Sequence, residues 1–165
     1  MSKTLLVLRH AKSSWKTQTT DMQRPLAERG LRDAHAAGKL LSAYAIDLVW
    51  CSAAVRAQET WERAQDGGAT AAQVEIAEAI YHAWADELIA EIRALDDSVE
   101  TLLIVGHQPT LGDLVTTLAR HSALVDRVAD HYPTAGLAVL TYRAGWATIG
   151  PGKATLKSFE IPREG

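Results

Sequence analysis

Short runs of apolar residues alternate with longer amphipathic segments along this chain. A run of four or five apolar residues bounded by polar ones is typical of a strand buried on both faces of a parallel sheet. Runs of this kind, with one shorter run, predict five strands, at residues 5–8, 47–51, 74–76, 101–105 and 137–140. Because segments with helical periodicity separate these runs, the pattern indicates an α/β fold.

The segments between the strands show apolar residues every three or four positions, which is the spacing of an amphipathic helix. This periodicity predicts helices around residues 31–41, 53–65, 86–95 and 109–118. Ser52 has a side chain suited to cap the second of these helices. Pro109 suits the first turn of the fourth helix, since proline has no N–H to leave unpaired there.

Two polar or turn-rich segments complete the pattern. Residues 11–24 are polar and follow the first strand directly, so we expect a loop beside the end of that strand. Near the end of the chain, residues 146–149 and 156–161 flank Gly150-Pro151-Gly152 and predict a terminal hairpin. The whole pattern predicts a single domain over residues 1–165, with three α/β/α layers and a mostly parallel sheet.

Composition narrows the class of protein. The chain has 165 residues, of which 47% are hydrophobic and 22% charged, as in ordinary globular proteins. Its net charge is −3 and it has no basic run, so we expect no binding to nucleic acid. The single cysteine, Cys51, excludes an internal disulfide and favours a reducing compartment. Since neither a signal peptide nor a long apolar stretch is visible, we expect a cytoplasmic protein without membrane contact.

Polar residues that can bind a ligand or take part in catalysis follow three of the predicted strands. The first strand ends in Arg9-His10, the second leads to Ser52 and Arg56, and the fourth leads to His107. The carboxyl ends of parallel strands meet at one edge of a sheet, which is where ligands bind in such folds. Arginine forks match the oxygens of a phosphoryl group. The sequence therefore predicts an anion site built from two arginines and two histidines.

These residues lie in motifs that resemble those of the histidine phosphatase superfamily, which has the phosphoglycerate mutase-like fold. In chain order the motifs are Arg9-His10-Ala11, Arg24-Pro25-Leu26-Ala27-Glu28-Arg29-Gly30, Ser52-x-x-x-Arg56-Ala57-x-Glu59-Thr60 and Gly106-His107-x-Pro109. The short chain, Arg9-His10-Ala11-Lys12-Ser13 and Pro133-Thr134-Ala135-Gly136 are similar to the SixA branch of phosphohistidine phosphatases. Ala27 departs from the family pattern, because relatives often carry a helix-capping Thr or Ser there.

The resemblance implies a role for each central residue. His10 would accept the phosphoryl group, Arg9 and Arg56 would bind its oxygens, and His107 would donate to the same oxygens. Since these four groups already supply positive charge or hydrogen-bond donors, we expect neither a metal ion nor another cofactor. Five further residues are predicted to bind substrate: Lys12, Ser13, Arg24, Glu78 and Thr134.

Two assignments have alternatives. Glu78 lies near the position of the general acid in many relatives, and its alternative is an exposed loop carboxylate. An imidazole leaving group needs such an acid less, because its nitrogen can already be protonated. Cys51 and Arg56 resemble a cysteine phosphatase loop, but four residues separate them where that loop has five. We therefore do not assign a catalytic role to Cys51.

The expected activity is hydrolysis of phosphohistidine, or of another phosphomonoester or phosphoramidate, through a phosphohistidine on the enzyme. The expected partner is accordingly a phosphorylated protein or a small phosphorylated metabolite. Two other functions stay open at this point. One is a phosphatase or mutase for sugar or nucleotide phosphates, and the other is a binding module for phosphorylated ligands that has no turnover.

Overall fold

A computed structural model describes residues 2–163, in which six strands form one mixed sheet with helices on both faces. The strands are β1 (Lys3–Arg9), β2 (Ile46–Ser52), β3 (Ala71–Ala77), β4 (Thr101–Gly106), β5 (Leu137–Tyr142) and β6 (Thr155–Glu160). The helices are α1 (Glu28–Leu41), α2 (Val55–Asp66), α3 (Glu78–His82), α4 (Ala85–Arg93), α5 (Thr110–Leu118) and α6 (Ala123–Asp130).

The strand order across the sheet is β3-β2-β4-β1-β5-β6. The first four strands in this order run parallel, whereas β5 pairs antiparallel with β1 and β6 pairs antiparallel with β5. The register aligns Arg9 of β1 with Gly106 of β4. The prediction of an α/β fold with three layers and a mostly parallel sheet is confirmed.

Two apolar cores cover the two faces of the sheet. Successive residues of a strand point to opposite faces, so β1 contributes Leu6 and Leu8 to one core and Leu5 and Val7 to the other. Helices α1 and α2 cover the first core, where Trp61 is buried, and α4, α5 and α6 cover the second. This double covering explains why the central strands are continuous apolar runs. No helix within residues 2–163 is long and apolar enough to cross a lipid bilayer.

The end of the chain differs from the sequence prediction. Residues Trp146–Thr148 form a short 3-10 turn, and β6 pairs with β5 rather than with this segment. The predicted terminal hairpin is therefore wrong. The physical reason is Trp146, whose side chain is fully buried and donates its indole N–H to the Val99 carbonyl at 2.6 Å. Helices α3 and α6 are also absent from the prediction, because five and eight residues are too few to show a clear period.

The start of α2 corrects the role expected for Ser52. The helix begins at Val55, and its N-cap position is Ala54, which makes no side-chain cap bond. Ser52 is instead the last residue of β2, where its Oγ accepts a hydrogen bond from the Ala54 amide at 3.1 Å. The same oxygen lies 2.7 Å from Nε2 of His107. The hydroxyl thus joins two strand ends rather than capping a helix.

The close approach of α1 and α2 at Gly38 provides a test of this packing. A Cβ at Gly38 would lie 2.0 Å from the backbone oxygen of Ala64, so a helix would have to move. We expect Gly38→Ala to lower the free energy of unfolding by about 1–3 kcal/mol, as overpacked cores do, despite alanine's better helix propensity. Urea denaturation followed by circular dichroism measures this loss.

Gly112 in α5 provides the matched control. A Cβ there would lie 2.9 Å from the side-chain amide of Gln108, which can move, whereas the neighbour of Gly38 is backbone. We expect Gly112→Ala to cost less than Gly38→Ala. Equal losses in the two variants would contradict the packing argument.

Candidate active site

The carboxyl ends of β1, β2 and β4 meet at one edge of the sheet and bring two histidines and two arginines together. The ring centroids of His10 and His107 are 5.2 Å apart. Burial lowers the pKa of both rings, and the charges of Arg56 and Arg9 act in the same direction on each. The structure therefore gathers the four residues that the sequence identified as catalytic candidates, and the role of each stays a prediction.

His10 is almost completely buried, and one of its ring nitrogens has a fixed partner. Nδ1 lies 2.7 Å from the Ala11 carbonyl oxygen, which can only accept, so Nδ1 donates and carries the hydrogen. Burial is the largest cause that lowers the pKa of His10 to about 3, and the neighbouring His107, Arg56 and Arg9 contribute to the same shift. At neutral pH the ring is therefore neutral and Nε2 has a free lone pair. This is the form of histidine that acts as a nucleophile.

Backbone hydrogen bonds hold the end of β1 in place. The amide of His10 donates to the Gly106 carbonyl at 3.0 Å, and the amide of Ala135 donates to the carbonyls of Arg9 and His10, each at 3.1 Å. Ala135 has a φ of 61°, which is uncommon for a residue other than glycine. Such conformations persist where the surrounding structure determines them, often at functional sites. The segment around Ala135 thus braces the backbone that presents His10.

His107 is neutral and partly buried. Its Nε2 lies 2.7 Å from Ser52 Oγ, and Tyr81 packs edge-on against its ring at a centroid distance of 5.4 Å. Burial lowers the pKa of His107 to about 4, with Arg56 the next largest cause. The ring of His107 therefore adds hydrogen-bonding capacity to the site without adding charge.

Three buried side-chain nitrogens of this site have no hydrogen-bond partner within residues 2–163. They are Nε of Arg9, Nε of Arg56 and Nδ1 of His107. The two arginine Nε–H groups are always donors, and the histidine nitrogen is a donor in one of its tautomers. A buried donor without a partner costs about 1–3 kcal/mol. An oxyanion that accepts from these groups would remove that cost, which fits a phosphoryl-binding site.

Asp21 is a residue of the site that sequence reasoning missed. It begins a short 3-10 turn, Asp21–Gln23, inside the predicted loop. Arg56 donates to it twice, from Nη1 to the backbone oxygen at 2.7 Å and from Nη2 to Oδ2 at 2.9 Å. Arg24 Nε donates to Oδ1 at 3.1 Å, and the Tyr81 hydroxyl donates to Oδ2 at 2.6 Å. The hydrogen bond from Tyr81 is the largest cause that lowers the pKa of Asp21 below its usual range, and the donors of Arg56 and Arg24 act in the same direction.

No motif in the sequence marks Asp21, because its partners Arg56 and Tyr81 lie far along the chain. The one local signal is the i,i+3 spacing to Arg24, which matches the observed ion pair. Tyr81 was missed for a related reason, since it lies on α3, a helix too short to be predicted.

Two of the predicted substrate-binding residues form part of the same network. Arg24 is buried, and its Nη1 donates to Ser13 Oγ at 2.8 Å. The exposed Trp15 ring stacks on the Arg24 guanidinium, 3.5 Å from ring centroid to carbon. Through Asp21, Arg24 is linked to Arg56. Its predicted contact with substrate stays a prediction, as does that of Ser13.

The side chains of the other three predicted residues take no part in this network within the described residues. Lys12 and Glu78 are exposed, and no hydrogen bond or ion pair in the described part of the chain joins their side chains to the central residues. Thr134 is half-buried, and its backbone oxygen accepts from Arg163 Nη1 at 3.3 Å. The acid role considered for Glu78 therefore has no contact to support it and stays a prediction.

Cys51 is a buried residue of β2. Burial raises the pKa of its thiol to about 12, with the charge of Glu62 adding to the effect. The nucleophilic form of cysteine is the thiolate, which is scarce at such a pKa. The environment of Cys51 thus agrees with assigning it no catalytic role.

The two neutral histidines should make the stability of the fold depend on pH. Their pKa values of about 3 and about 4 lie below the value near 6.5 expected in the unfolded chain. In this interval the unfolded chain binds more protons, so the free energy of unfolding falls as the pH decreases below about 6.5. Each histidine contributes a slope of at most about 1.4 kcal/mol per pH unit. Urea denaturation between about pH 7.5 and 5 measures this slope.

Two variants assign the slope to the buried site. His10→Gln cannot take up a proton, so we expect it to flatten the pH dependence. His121 is an exposed histidine paired with Asp126, and His121→Gln should leave most of the slope in place. An unchanged slope in His10→Gln would contradict the burial of a neutral His10.

Comparison with known proteins gives close relatives in sequence. The sequence profile of the histidine phosphatase superfamily (branch 1) matches residues 5–144. The chain is 42% identical over 162 residues to the uncharacterized protein Rv1276c of Mycobacterium tuberculosis (strain ATCC 25618 / H37Rv). It is 36% identical over 165 residues to the uncharacterized protein ML1117 of Mycobacterium leprae (strain TN). Each alignment covers 94% of this chain and 100% of the relative.

Solved structures share the fold along nearly the whole chain. A candidate phosphohistidine phosphatase SixA from Nakamurella multipartitia superposes with a TM-score of 0.87 and 31% identity, covering 98% of this chain and 97% of that one. A corresponding SixA protein from Agrobacterium tumefaciens has a TM-score of 0.80 and 26% identity, covering 97% and 99%. The matching profile, these structures and the grouped motif residues show that the chain belongs to the histidine phosphatase superfamily, in its SixA-type branch.

Proposed function

We propose that this phosphatase hydrolyses phosphohistidine on proteins through a covalent phosphoryl intermediate on His10. The observation that carries the mechanism is the tautomer of His10, whose Nδ1–H is donated to the Ala11 carbonyl while Nε2 keeps its lone pair. The substrate class is supported by the resemblance to the Nakamurella and Agrobacterium proteins, which are described as candidate phosphohistidine phosphatases.

In the first step the phosphoryl group passes from the substrate to His10. Arg9 and Arg56 bind its oxygens and neutralise their charge, so the phosphoryl dianion repels the nucleophile less. Nε2 of His10 forms a new P–N bond while the P–N bond of the protonated substrate imidazole breaks. The electron pair of the broken bond goes to the leaving nitrogen, and a neutral imidazole departs. His107 donates a hydrogen bond from Nδ1, the ring nitrogen that has no partner among the described residues, to one of the phosphoryl oxygens.

In the second step water attacks the phosphorus of the phosphorylated His10. A P–O bond forms, the P–N bond breaks, and its electron pair returns to Nε2. One hydrogen of the water stays on the attacking oxygen and the other passes to a phosphoryl oxygen, so the product is dihydrogen phosphate. The arginines supply the positive charge that Mg²⁺ supplies in many phosphoryl-transfer enzymes, and the proposed reaction therefore uses no metal ion.

Two alternatives differ from this proposal in what they require of the site. A phosphatase or mutase for sugar or nucleotide phosphates would use the same nucleophile but must protonate an alkoxide leaving group. Glu78 is exposed and Asp21 is already bound to three donors, which favours a leaving group that brings its own proton. A module that only binds phosphorylated ligands would need no nucleophile with a free lone pair.

A panel of phosphorylated compounds tests the substrate class. We expect the purified protein, in the presence of EDTA, to release phosphate from a phosphohistidine peptide faster than from sugar or nucleotide phosphates. Phosphate release is measured for each compound at equal concentration. Faster release from a metabolite would favour the small-molecule alternative, and no release from any compound would favour the binding module. Activity that is lost in EDTA and restored by Mg²⁺ would contradict metal independence.

The covalent intermediate provides a separate test. His10 follows a rigid buried strand, so its ring can be held in line with the phosphorus. We expect a labelled substrate to leave its phosphoryl group on His10, in a bond that is stable to alkali and labile to acid. Rapid quenching in alkali followed by mass spectrometry locates the label. His10→Ala should form no such adduct, whereas label on His107 or Ser52 in the wild type would contradict the mechanism.

A further inference from the structure

Asp21 and Arg56 place a carboxylate directly beside the guanidinium proposed to bind the phosphoryl group. Asp21 Oδ2 lies 2.9 Å from Arg56 Nη2. The two side chains differ in exposure, since 48% of Asp21 is exposed and only 7% of Arg56. Asp21 therefore lies on the solvent side of this pair. His10 is buried at 7% exposure, so a substrate that reaches it must approach from the solvent side of the site.

The carboxylate of Asp21 is fixed but still has hydrogen-bonding capacity. Oδ1 accepts from Arg24, and Oδ2 accepts from Arg56 and Tyr81, which occupies three of about four acceptor positions of a carboxylate. The groups that face it are Arg24 from the loop, Arg56 from α2, Tyr81 from α3 and the more distant His107 after β4. These neighbours favour the ionised form, so Asp21 is an acceptor and not a proton donor at neutral pH.

In-line displacement puts the leaving group opposite the attacking nitrogen of His10. The leaving group therefore points away from the buried His10 and toward solvent, and Asp21 is a half-exposed carboxylate beside the phosphoryl-binding Arg56. A carboxylate there attracts a leaving group that carries a proton or a positive charge and repels one that carries further negative charge.

We propose that Asp21 is a specificity-determining residue, which accepts a hydrogen bond from the N–H of a protonated imidazole leaving group and so selects phosphoramidates over phosphate esters. This inference rests on the proposed function and assigns its selectivity to one side chain. The bound imidazolium donates the hydrogen of its second nitrogen to the free position on Asp21. When the P–N bond breaks, the electron pair neutralises the ring, the hydrogen stays on that nitrogen, and Asp21 gains no proton.

A phosphate ester lacks this interaction. Its alkoxide leaving group must receive a proton as the P–O bond breaks, and an ionised Asp21 cannot supply one. The fixed carboxylate thus stabilises the leaving group of a phosphoramidate and does not stabilise that of a phosphate ester. Neutralising Asp21 should change the ratio of the two activities rather than both activities alike.

The experiment compares N-phosphoimidazole with p-nitrophenyl phosphate, whose leaving phenolate needs no proton. We expect Asp21→Asn to lower kcat/KM for N-phosphoimidazole by about tenfold more than for p-nitrophenyl phosphate, the scale of one charge-assisted hydrogen bond. The Asn side chain keeps an acceptor oxygen, and the backbone oxygen of Asp21 still accepts from Arg56 Nη1. Asp21→Glu restores the charge and should recover part of the ratio.

Matched variants separate charge from network geometry. Tyr81→Phe removes a donor to Asp21 but keeps the carboxylate, so the ratio of the two activities should stay close to that of the wild type. Asp66→Asn neutralises an exposed carboxylate at the end of α2, paired with Arg63, and should change neither activity. Asp21→Ala is a second neutral variant and should shift the ratio as Asp21→Asn does. Thermal unfolding midpoints check that each variant is folded.

Each contrary result has a distinct meaning. Equal losses on both compounds in Asp21→Asn would reduce Asp21 to a positioning residue for Arg56 and overturn the inference. Equal gains would show that Asp21 competes with the phosphoryl group, which also overturns it. If the wild type does not act on the phosphohistidine peptide but Asp21→Asn shifts the ratio, the proposed protein substrate is wrong, while the role of Asp21 toward an imidazole leaving group is supported. A wild type inactive on N-phosphoimidazole overturns the inference directly.

Discussion

The parallel pairing of β1 with β4 is the constraint on which the candidate active site depends. It aligns Arg9 with Gly106, and the Gly106 carbonyl accepts a hydrogen bond from the His10 amide at 3.0 Å. Both strands are buried along most of their length. A slip of one residue would turn every apolar side chain of a strand to the opposite face, so the two cores hold the register. Core packing thereby sets the distance between the rings of His10 and His107.

The electrostatic balance of the site follows from this placement. Burial, complete around most of His10 and partial around His107, keeps both imidazoles neutral, and the cations Arg9 and Arg56 add to this effect. The charges that suit a phosphoryl group therefore also keep the candidate nucleophile unprotonated. Asp21 offsets part of this positive charge, because it pairs with Arg56 and with Arg24. A buried guanidinium without such a partner would carry a large desolvation cost.

A feature is predicted correctly from the sequence when residues that are adjacent in the chain carry its pattern, and incorrectly when it depends on a contact between distant segments. The strands β1 and β4 were predicted from four or five adjacent apolar residues, since burial on both faces leaves a continuous run. The terminal hairpin was wrong because Trp146 joins the core and binds the Val99 carbonyl, a contact between distant segments. Ser52 is a frequent capping residue, but its position at the end of β2 gives its hydroxyl a partner in His107.

The sequence alone was sufficient for the fold class, the family resemblance and the grouping of Arg9, His10, Arg56 and His107 at one edge of the sheet, because apolar runs and short motifs are local patterns. Only the tertiary structure decided which nitrogen of His10 is free, which hydroxyl reaches His107, and which carboxylate meets Arg56. Those features depend on contacts between segments that are far apart in the chain. Asp21 is an example, because it is a polar residue in a polar loop and its neighbours in the sequence do not indicate that it binds Arg56.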